Sequence, residues 1–241
     1  MLREWRIDLH IHTCLSPCGD SCMVPTRIVD IALERGLDVV AITDHNTAEN
    51  VEAVRLAADR RLTVLGGMEI TTAEEVHLLV IFEKKETLEE MQDLVQCGLE
   101  GENDPEAFGD QWIVDESDGI VGKSSRLLMG ATSLSVEEVV EATHRLEGMV
   151  IASHVDKQVF SIVSQLGFIP DGLELDALEI SPHHRERPSP FSDSGYALAS
   201  FSDAHFLEEI GRAYSRLLAI EPSVDEIRDA VHGLDGRGIF L

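Results

Sequence analysis

From Ile7 to His12 apolar and polar residues alternate, Ile-Asp-Leu-His-Ile-His, with the period of two that marks a strand. Alternate residues of a strand share a face, so Asp8, His10 and His12 are expected to point one way and Ile7, Leu9 and Ile11 the other. A loop follows to Val24, with Pro17, Gly19 and Asp20 as turn formers. Pro25 suits the first turn of a helix whose Ile28, Ile31, Ala32 and Leu33 share one face, and Gly36 suits its C-terminal cap. Residues 37–43, apolar except at Asp38 and Thr43, read as a strand buried on both sides and ending at Asp44-His45-Asn46. A helix is expected at 50–59, a short strand at 62–65 running through Gly66-Gly67 into Met68-Glu69-Ile70, and another strand at 76–82 with His77 near its start.

Residues 84–96 show helical spacing, with Leu88, Met91, Leu94 and Val95 on one side. The pattern is then lost from 97 to 133, a glycine-rich, acidic stretch too long for a simple connection. Ser135 and Glu138 form a capping box opening a helix to Leu146. Strands are expected at 149–153, 175–180 and 197–201, a last clear helix from Ser223 with Glu226, and a closing strand at 238–241. Strands alternating with helices predict an α/β fold with a mainly parallel sheet. His12, Asp44-His45, His154 and Asp203-x-His205 all fall where strands end. A barrel gathers strand C-termini into one bowl, so a (β/α) barrel with fewer than eight helices fits best, as a single domain over 1–241 with 97–133 inserted. The first strand is followed by no glycine-rich phosphate loop, which leaves a dinucleotide fold unsupported.

Charge alters the list of partners. The chain of 241 residues carries 45 acidic and 19 basic residues, a net charge of -26. A field of that sign repels polyphosphates and anionic membranes, so long duplex nucleic acid is not expected as a partner, whereas a small phosphorylated substrate held by cations is. The first residues lack the apolar core of a signal peptide and no apolar run reaches membrane-spanning length, so a cytoplasmic location is expected. Cys14, Cys18, Cys22 and Cys97 are then expected to be reduced thiols, and the four-residue spacing of the first three matches no standard zinc or iron–sulfur site.

Nine residues form the candidate constellation: His10, His12, Asp20, His45, Glu69, His77, His154, Asp203 and His205. Six imidazoles and three carboxylates exceed the needs of one ion and suit two or three divalent ions sharing a bridging carboxylate, with Glu69 best placed to bridge. Nitrogen and oxygen donors together favour zinc, manganese or iron over magnesium or calcium. His144 and His232, on helices, read as surface histidines.

In their order, His10-x-His12, a loop aspartate, Thr43-Asp44-His45, Gly67-Met68-Glu69, His77, Ser153-His154 and Ser202-Asp203-x-His205 closely resemble the PHP (polymerase and histidinol phosphatase) family of metal-dependent phosphoesterases. The resemblance implies a distorted seven-stranded (β/α)7 TIM-like barrel with its active site at the C-terminal ends of the strands and up to three metals. It places His10, His12, Glu69 and Asp203 in a first site, Asp20, His45 and His205 in a second, and His77 and His154 in a third bridged by Glu69. At the second site the chain departs from the family: Ser21 follows Asp20 where members read Ser-Asp-Gly, and the loop before it is longer and bears cysteines.

The function expected from residues and resemblance together is hydrolysis of a small phosphomonoester, a nucleotide or sugar phosphate, by metal-activated hydroxide. Catalytic candidates are Glu69, His205 and Asp44, while Asp8 and Asp44 suit the orientation of ligand imidazoles. Lys123, Arg126, Lys157, His184, Arg185 and Arg187 are the candidates for binding a phosphate remote from the metals. Two readings compete: an exonuclease or phosphatase on short oligonucleotides, and a non-catalytic metal-stabilised scaffold, which should have lost ligands. A deaminase of the amidohydrolase type also begins with His-x-His but needs a bridging lysine or further histidine on a middle strand, and the sequence offers none.

Overall fold

The opening pattern forms the second half of β1 (Arg3–Ile11) in the computed structural model, which describes residues 1–184 and 190–241 apart from the side chain of His184. α1 (Pro25–Glu34), β2 (Val39–Ile42), α2 (Val51–Ala58), β3 (Thr63–Thr71) and β4 (His77–Phe82) follow in chain order. Next come α3 (Lys85–Gly98), a short α4 (Pro105–Phe108) and two hairpin strands, β5 (Trp112–Val114) and β6 (Ile120–Lys123). α5 (Val136–Arg145), β7 (Met149–Ala152), α6 (Ile162–Leu166), β8 (Ala177–Glu179) and β9 (Ala197–Ala199) lead to the last three elements, β10 (Ser215–Ala219), α7 (Val224–Val231) and β11 (Gly238–Phe240).

One sheet runs in the order β11-β10-β1-β2-β3-β4-β7-β8-β9. Beyond β9 the chain returns to β1: the Ala204 amide donates to His10 O at 3.2 Å, the His12 amide donates to Ala204 O at 3.0 Å, and Ile11 bridges Ala204 in parallel. Among the described residues, seven strands (β1 to β4 and β7 to β9) thus surround an apolar interior that includes Ile7, Leu9, Ala41, Leu65, Leu79 and Ile151. Val224, Ile227 and Ala230 of α7 join that interior cluster. A second cluster, with Ile28, Val54, Met91 and Val139, seats the helices outside the strands. Burying each large side chain contributes roughly 1.5–3 kcal/mol.

The barrel is less parallel than the sequence predicts, because β4 runs antiparallel to both β3 and β7. A tight connection, 72–76, turns the chain straight back after β3, as a hairpin requires. β3 is also one strand rather than a short strand and a separate segment. Gly67 permits it: a Cβ there would stand 2.5 Å from Val80 O on β4. β10 is an unpredicted strand, antiparallel to β1, whose Ser215, Leu217 and Ala219 are buried while Arg216 is exposed. Within the inserted segment, β5 and β6 pair as a hairpin tied to the loop after β1 through Cys14 O, which accepts from the Trp112 amide at 3.3 Å. Among the described residues no helix is long and apolar enough to cross a membrane.

The faces of β1 depart from simple alternation as well. Its pairing with β2 shifts register between Asp8 and Ile11, and the bulge reverses the order of faces. Ile7 and Leu9 enter the barrel interior, Ile11 joins the outer cluster, and His10 and His12 reach the bowl. Asp8 is left facing away, its oxygens accepting from the Ser202 amide at 2.9 Å and the Gly211 amide at 3.0 Å.

Candidate metal centre

Glu69, on β3, lies at the middle of the bowl and is 1% exposed. Its Oε1 is 3.0 Å from His77 Nδ1, 3.3 Å from His154 Nε2 and 3.4 Å from His10 Nε2. Its Oε2 is 3.2 Å from His45 Nδ1 and 3.5 Å from His12 Nε2. One carboxylate therefore faces five imidazoles delivered by the ends of four strands. Asp203 Oδ1 adds a second acceptor, 3.3 Å from His10 Nε2 and 3.5 Å from His12 Nε2. Burial alone would raise the Glu69 carboxyl, but His77, His10 and His45 more than offset it and hold it well below the usual carboxylate range.

Strand ends place these groups through unusual backbone. Asn46, His154 and Asp203 adopt positive φ of 52°, 29° and 50°, and such conformations collect at functional sites, where the surroundings over-determine them.

Ligand rings need their second nitrogen fixed. His10 Nδ1 lies 3.1 Å from both oxygens of Glu179, a buried residue at the end of β8 that also accepts from the His154 amide at 3.0 Å. Asp8, expected to orient a ligand imidazole, is thus replaced in that task by Glu179, since the bulge turns Asp8 to the other face. Asp44 is fully buried and accepts from the Thr13 amide at 2.7 Å, Thr13 Oγ1 at 2.7 Å and Ser16 Oγ at 2.6 Å. Its oxygens are held by the loop rather than turned to the bowl. It works through Ser16: with its proton committed to Asp44, the Ser16 hydroxyl accepts from His12 Nδ1 at 3.0 Å, which leaves Nε2 of His12 free to face a cation. His205 Nδ1 donates to Asp203 O at 2.9 Å and frees its Nε2 in the same way.

The donors fit divalent cations. Ligand atoms of His10, His12, Glu69 and Asp203 lie within 4.8 Å of one another, as do those of His45, Glu69 and His77, and those of His12, Cys18, His45 and His205. His45 Nδ1 and His154 Nδ1 are buried without a hydrogen-bond partner, an expensive state that a cation held beside His45 would relieve. Burial would lower His10, but Glu179, Asp203 and Glu69 more than offset it and hold it well above the usual imidazole range. Burial, with His205 and His45 nearby, holds His12 well below it.

Eight of the nine predicted ligands come together here. Asp20 does not join them: its Oδ1 accepts from the Cys22 amide at 2.8 Å, inside its own loop. Cys18 occupies that side of the cluster instead. Of the predicted phosphate binders, Lys157 reaches the site, with Nζ 2.5 Å from Asp203 Oδ2. Lys123 pairs with Asp110 at 3.3 Å and Arg126 binds Gln96 O at 2.9 Å, both on the inserted segment. Arg185 and Arg187 lie outside the described residues, as does the side chain of His184. His144, read as a surface residue, is part-buried against Asp176, with Nε2 3.0 Å from Oδ2. A cavity of about 200 Å³ opens above Glu69, walled by His77, His154, Lys157 and the apolar Met129, Val159 and Phe160. A neighbouring cavity of about 390 Å³ continues from Lys157 and His205 to Phe206 and Arg212.

A seven-stranded barrel with a histidine-rich centre at its strand ends defines a class, and sequence comparison assigns it. The PHP domain profile matches residues 8–158 and a PHP-associated profile matches 199–233; the chain belongs to the PHP domain family. It is 41% identical over 78 residues to an uncharacterized protein of Methanocaldococcus jannaschii, 29% of this chain and 46% of the relative. It is 37% identical over 73 residues to the 5'-3' exoribonuclease Rnm of Escherichia coli (29% and 24%) and 36% identical over 76 residues to a 3',5'-nucleoside bisphosphate phosphatase of Chromobacterium violaceum (31% and 26%). The matches thus span less than half the length of each curated relative. Among solved structures, the lesion-specific endonuclease Q of Pyrococcus furiosus superposes with a TM-score of 0.76 at 20% identity, over 98% of this chain and 58% of that one.

An endonuclease Q complex with a 27-mer duplex substrate, an abasic lesion at its active site, superposes with a TM-score of 0.75 at 20% identity over the same shares. The exclusion of long duplexes drawn from net charge is therefore corrected, because a chain of this fold accepts one. Net charge is a sum over the whole surface, whereas cations held at the centre would reverse the local field that a phosphate meets.

Proposed function

We propose that the chain is a metal-dependent phosphoric-ester hydrolase whose substrate is a nucleotide or the strand of a nucleic acid. The observation that carries this reading is Glu69, held within 3.5 Å of five imidazole nitrogens at the floor of an open cavity. His10, His12, Glu69 and Asp203 would hold one divalent ion, and the imidazoles of His45, His77 and His205 beside them would serve further ions, with zinc, manganese or iron suited to these donors. Ions held there supply Lewis-acid polarisation of the phosphoryl group and lower the pKa of water from about 15.7 to about 7.

The chain's own residues position and hold. Lys157 Nζ, against Asp203, is placed to bind a non-bridging phosphoryl oxygen. His205, its Nδ1 held by Asp203 O, is placed beside the cavity to offer Nε2 to an ion. Phe160 lies stacked on His77, 4.5 Å between centroids, and remains 40% exposed. With Met129 and Val159 it forms an apolar wall at the mouth that suits a nucleobase better than a sugar phosphate. The nucleic-acid chemistry named for the exoribonuclease, the bisphosphate phosphatase and endonuclease Q supports the same substrate class.

The test is hydrolysis by metal-reconstituted protein of mononucleotides, 3',5'-bisphosphates, sugar phosphates, and single-stranded, duplex and abasic oligonucleotides. Metal-dependent cleavage of a nucleotide or oligonucleotide, abolished in His12→Ala, is the expected result. Cleavage confined to sugar phosphates would overturn the substrate class, and stoichiometric metal without any hydrolysis would favour the scaffold.

A further inference from the structure

Among the described residues, Cys18 is the one cysteine grouped with the cluster's imidazoles. Its Sγ and a ring nitrogen from each of His12, His45 and His205 all lie within 4.8 Å of one another. The loop holds it there by backbone contacts. The Gly19 amide donates to Ser16 O at 2.8 Å and the Asp20 amide to His205 O at 2.8 Å, so the residues just after Cys18 are tied both to their own loop and to the strand end bearing His205. Gly19 allows the close fold, since a Cβ there would meet Thr13 O at 2.3 Å. Asp20 is spent on the Cys22 amide. A second observation points to a ligand in the same cluster: His45, 7% exposed, has a buried Nδ1 that stands 3.2 Å from Glu69 Oε2 yet makes no hydrogen bond. A hydrogen-bonded cysteine among satisfied histidines would need nothing more; this group is incomplete.

We propose that Cys18 is a metal ligand, its thiolate completing with His45 and His205 a sulfur-containing second site in place of the carboxylate of Asp20. The inference rests on the metal-dependent reading above. On coordination the thiol proton passes to solvent and sulfur donates the electron pair. A thiolate with imidazoles selects zinc, iron(II) or cobalt(II) over magnesium and manganese, so this half of the centre discriminates by softness while the Glu69 half accepts harder ions.

Cobalt(II) is the probe. Chelator-treated protein is titrated with cobalt and read by absorbance, with bound metal counted by elemental analysis. A thiolate-to-cobalt charge-transfer band in the near ultraviolet is expected, lost in both Cys18→Ser and Cys18→Asp while the visible bands of cobalt at other ligands persist, and unchanged in Cys22→Ser. Circular dichroism identifies any variant that fails to fold, and Cys18→Asp, which restores a donor, is expected to regain binding with a preference shifted at least tenfold toward manganese. Bound cobalt without the band, a band surviving Cys18→Ser, or no cobalt bound would each overturn the assignment. Phosphate release is measured separately: a band without hydrolysis sinks the enzyme reading and leaves the ligand, and hydrolysis without a band does the reverse.

Discussion

Glu179 holds His10 by both of its oxygens, each 3.1 Å from the ring's Nδ1, and by doing so aims Nε2 of His10 at Glu69 and Asp203. A carboxylate in that position fixes both the tautomer and the ring plane, and its loss elsewhere typically lowers metal affinity by about 10–100-fold. Glu179→Gln should lose affinity within that range, because one amide oxygen still accepts, and Glu179→Ala should lose more. Competition with a chromophoric chelator measures it. An unchanged affinity in Glu179→Ala would show that His10 is held by the metal alone.

Glu179 also marks the limit of what the sequence discloses. Strand ends carrying His12, His45, His154 and Asp203-x-His205 are visible because each places a donor just after an apolar run. Glu179 sits inside such a run, Ala-Leu-Glu-Ile, and reads as an ordinary strand residue until the barrel brings it under His10, far off in sequence. Ser16 is equally hidden in a loop of turn formers. The bulge in β1 could not be read either, since alternation through Ile7 to His12 is perfect and only pairing with β2 breaks it. β4 gave no sign of its direction, which depends on a short connection rather than on its own composition.

The Asp44–Ser16–His12 chain predicts a smaller effect for Ser16→Ala. Asp44 keeps its two bonds from Thr13, while His12 Nδ1 and the His45 amide both lose an acceptor. Leaving buried donors unsatisfied costs about 1–3 kcal/mol each. Thermal unfolding of the metal-free protein should show a loss of that order. Metal affinity should fall too, as His12 becomes free to present either nitrogen.

Removing metal should soften the whole barrel. Ions would bind the folded cluster, whose donors come from β1, β3, β4 and three loops, and find no such cluster in the unfolded chain. Saturation at a hundredfold excess over the dissociation constant stabilises by about 2.7 kcal/mol for each ion, which for a chain of this size corresponds to a rise in Tm of roughly 5–10 °C. Calorimetry with and without chelator checks this; the same Tm in both would mean the centre does not hold the folded state's ions.

Gly67→Ala tests whether the strand that carries Glu69 tolerates displacement. The added methyl meets Val80 O at 2.5 Å, within the β3–β4 pairing, so strands must part. Overpacking of this kind costs about 1–3 kcal/mol. Because Glu69 lies two residues further along the same strand, metal affinity should drop together with stability, whereas a distant core change of equal cost should leave affinity alone.

Far from the centre, Glu226 ties α7 to β11. Its carboxylate accepts from Arg237 Nη2 at 2.7 Å and Nε at 2.9 Å and from the Ile220 amide at 2.7 Å, and these bonds, Arg237 first, hold its pKa below the ordinary carboxylate value. A carboxyl depressed in the folded state stabilises above its unfolded pKa of about 4.3 and loses that contribution as pH falls through the folded value. Glu226→Gln should therefore lower Tm at neutral pH, and the gap between variant and parent should close on acidification below about 4.3. A gap that stayed constant with pH would mean that shape and neutral hydrogen bonds, not the charge, hold α7 to the end of the barrel.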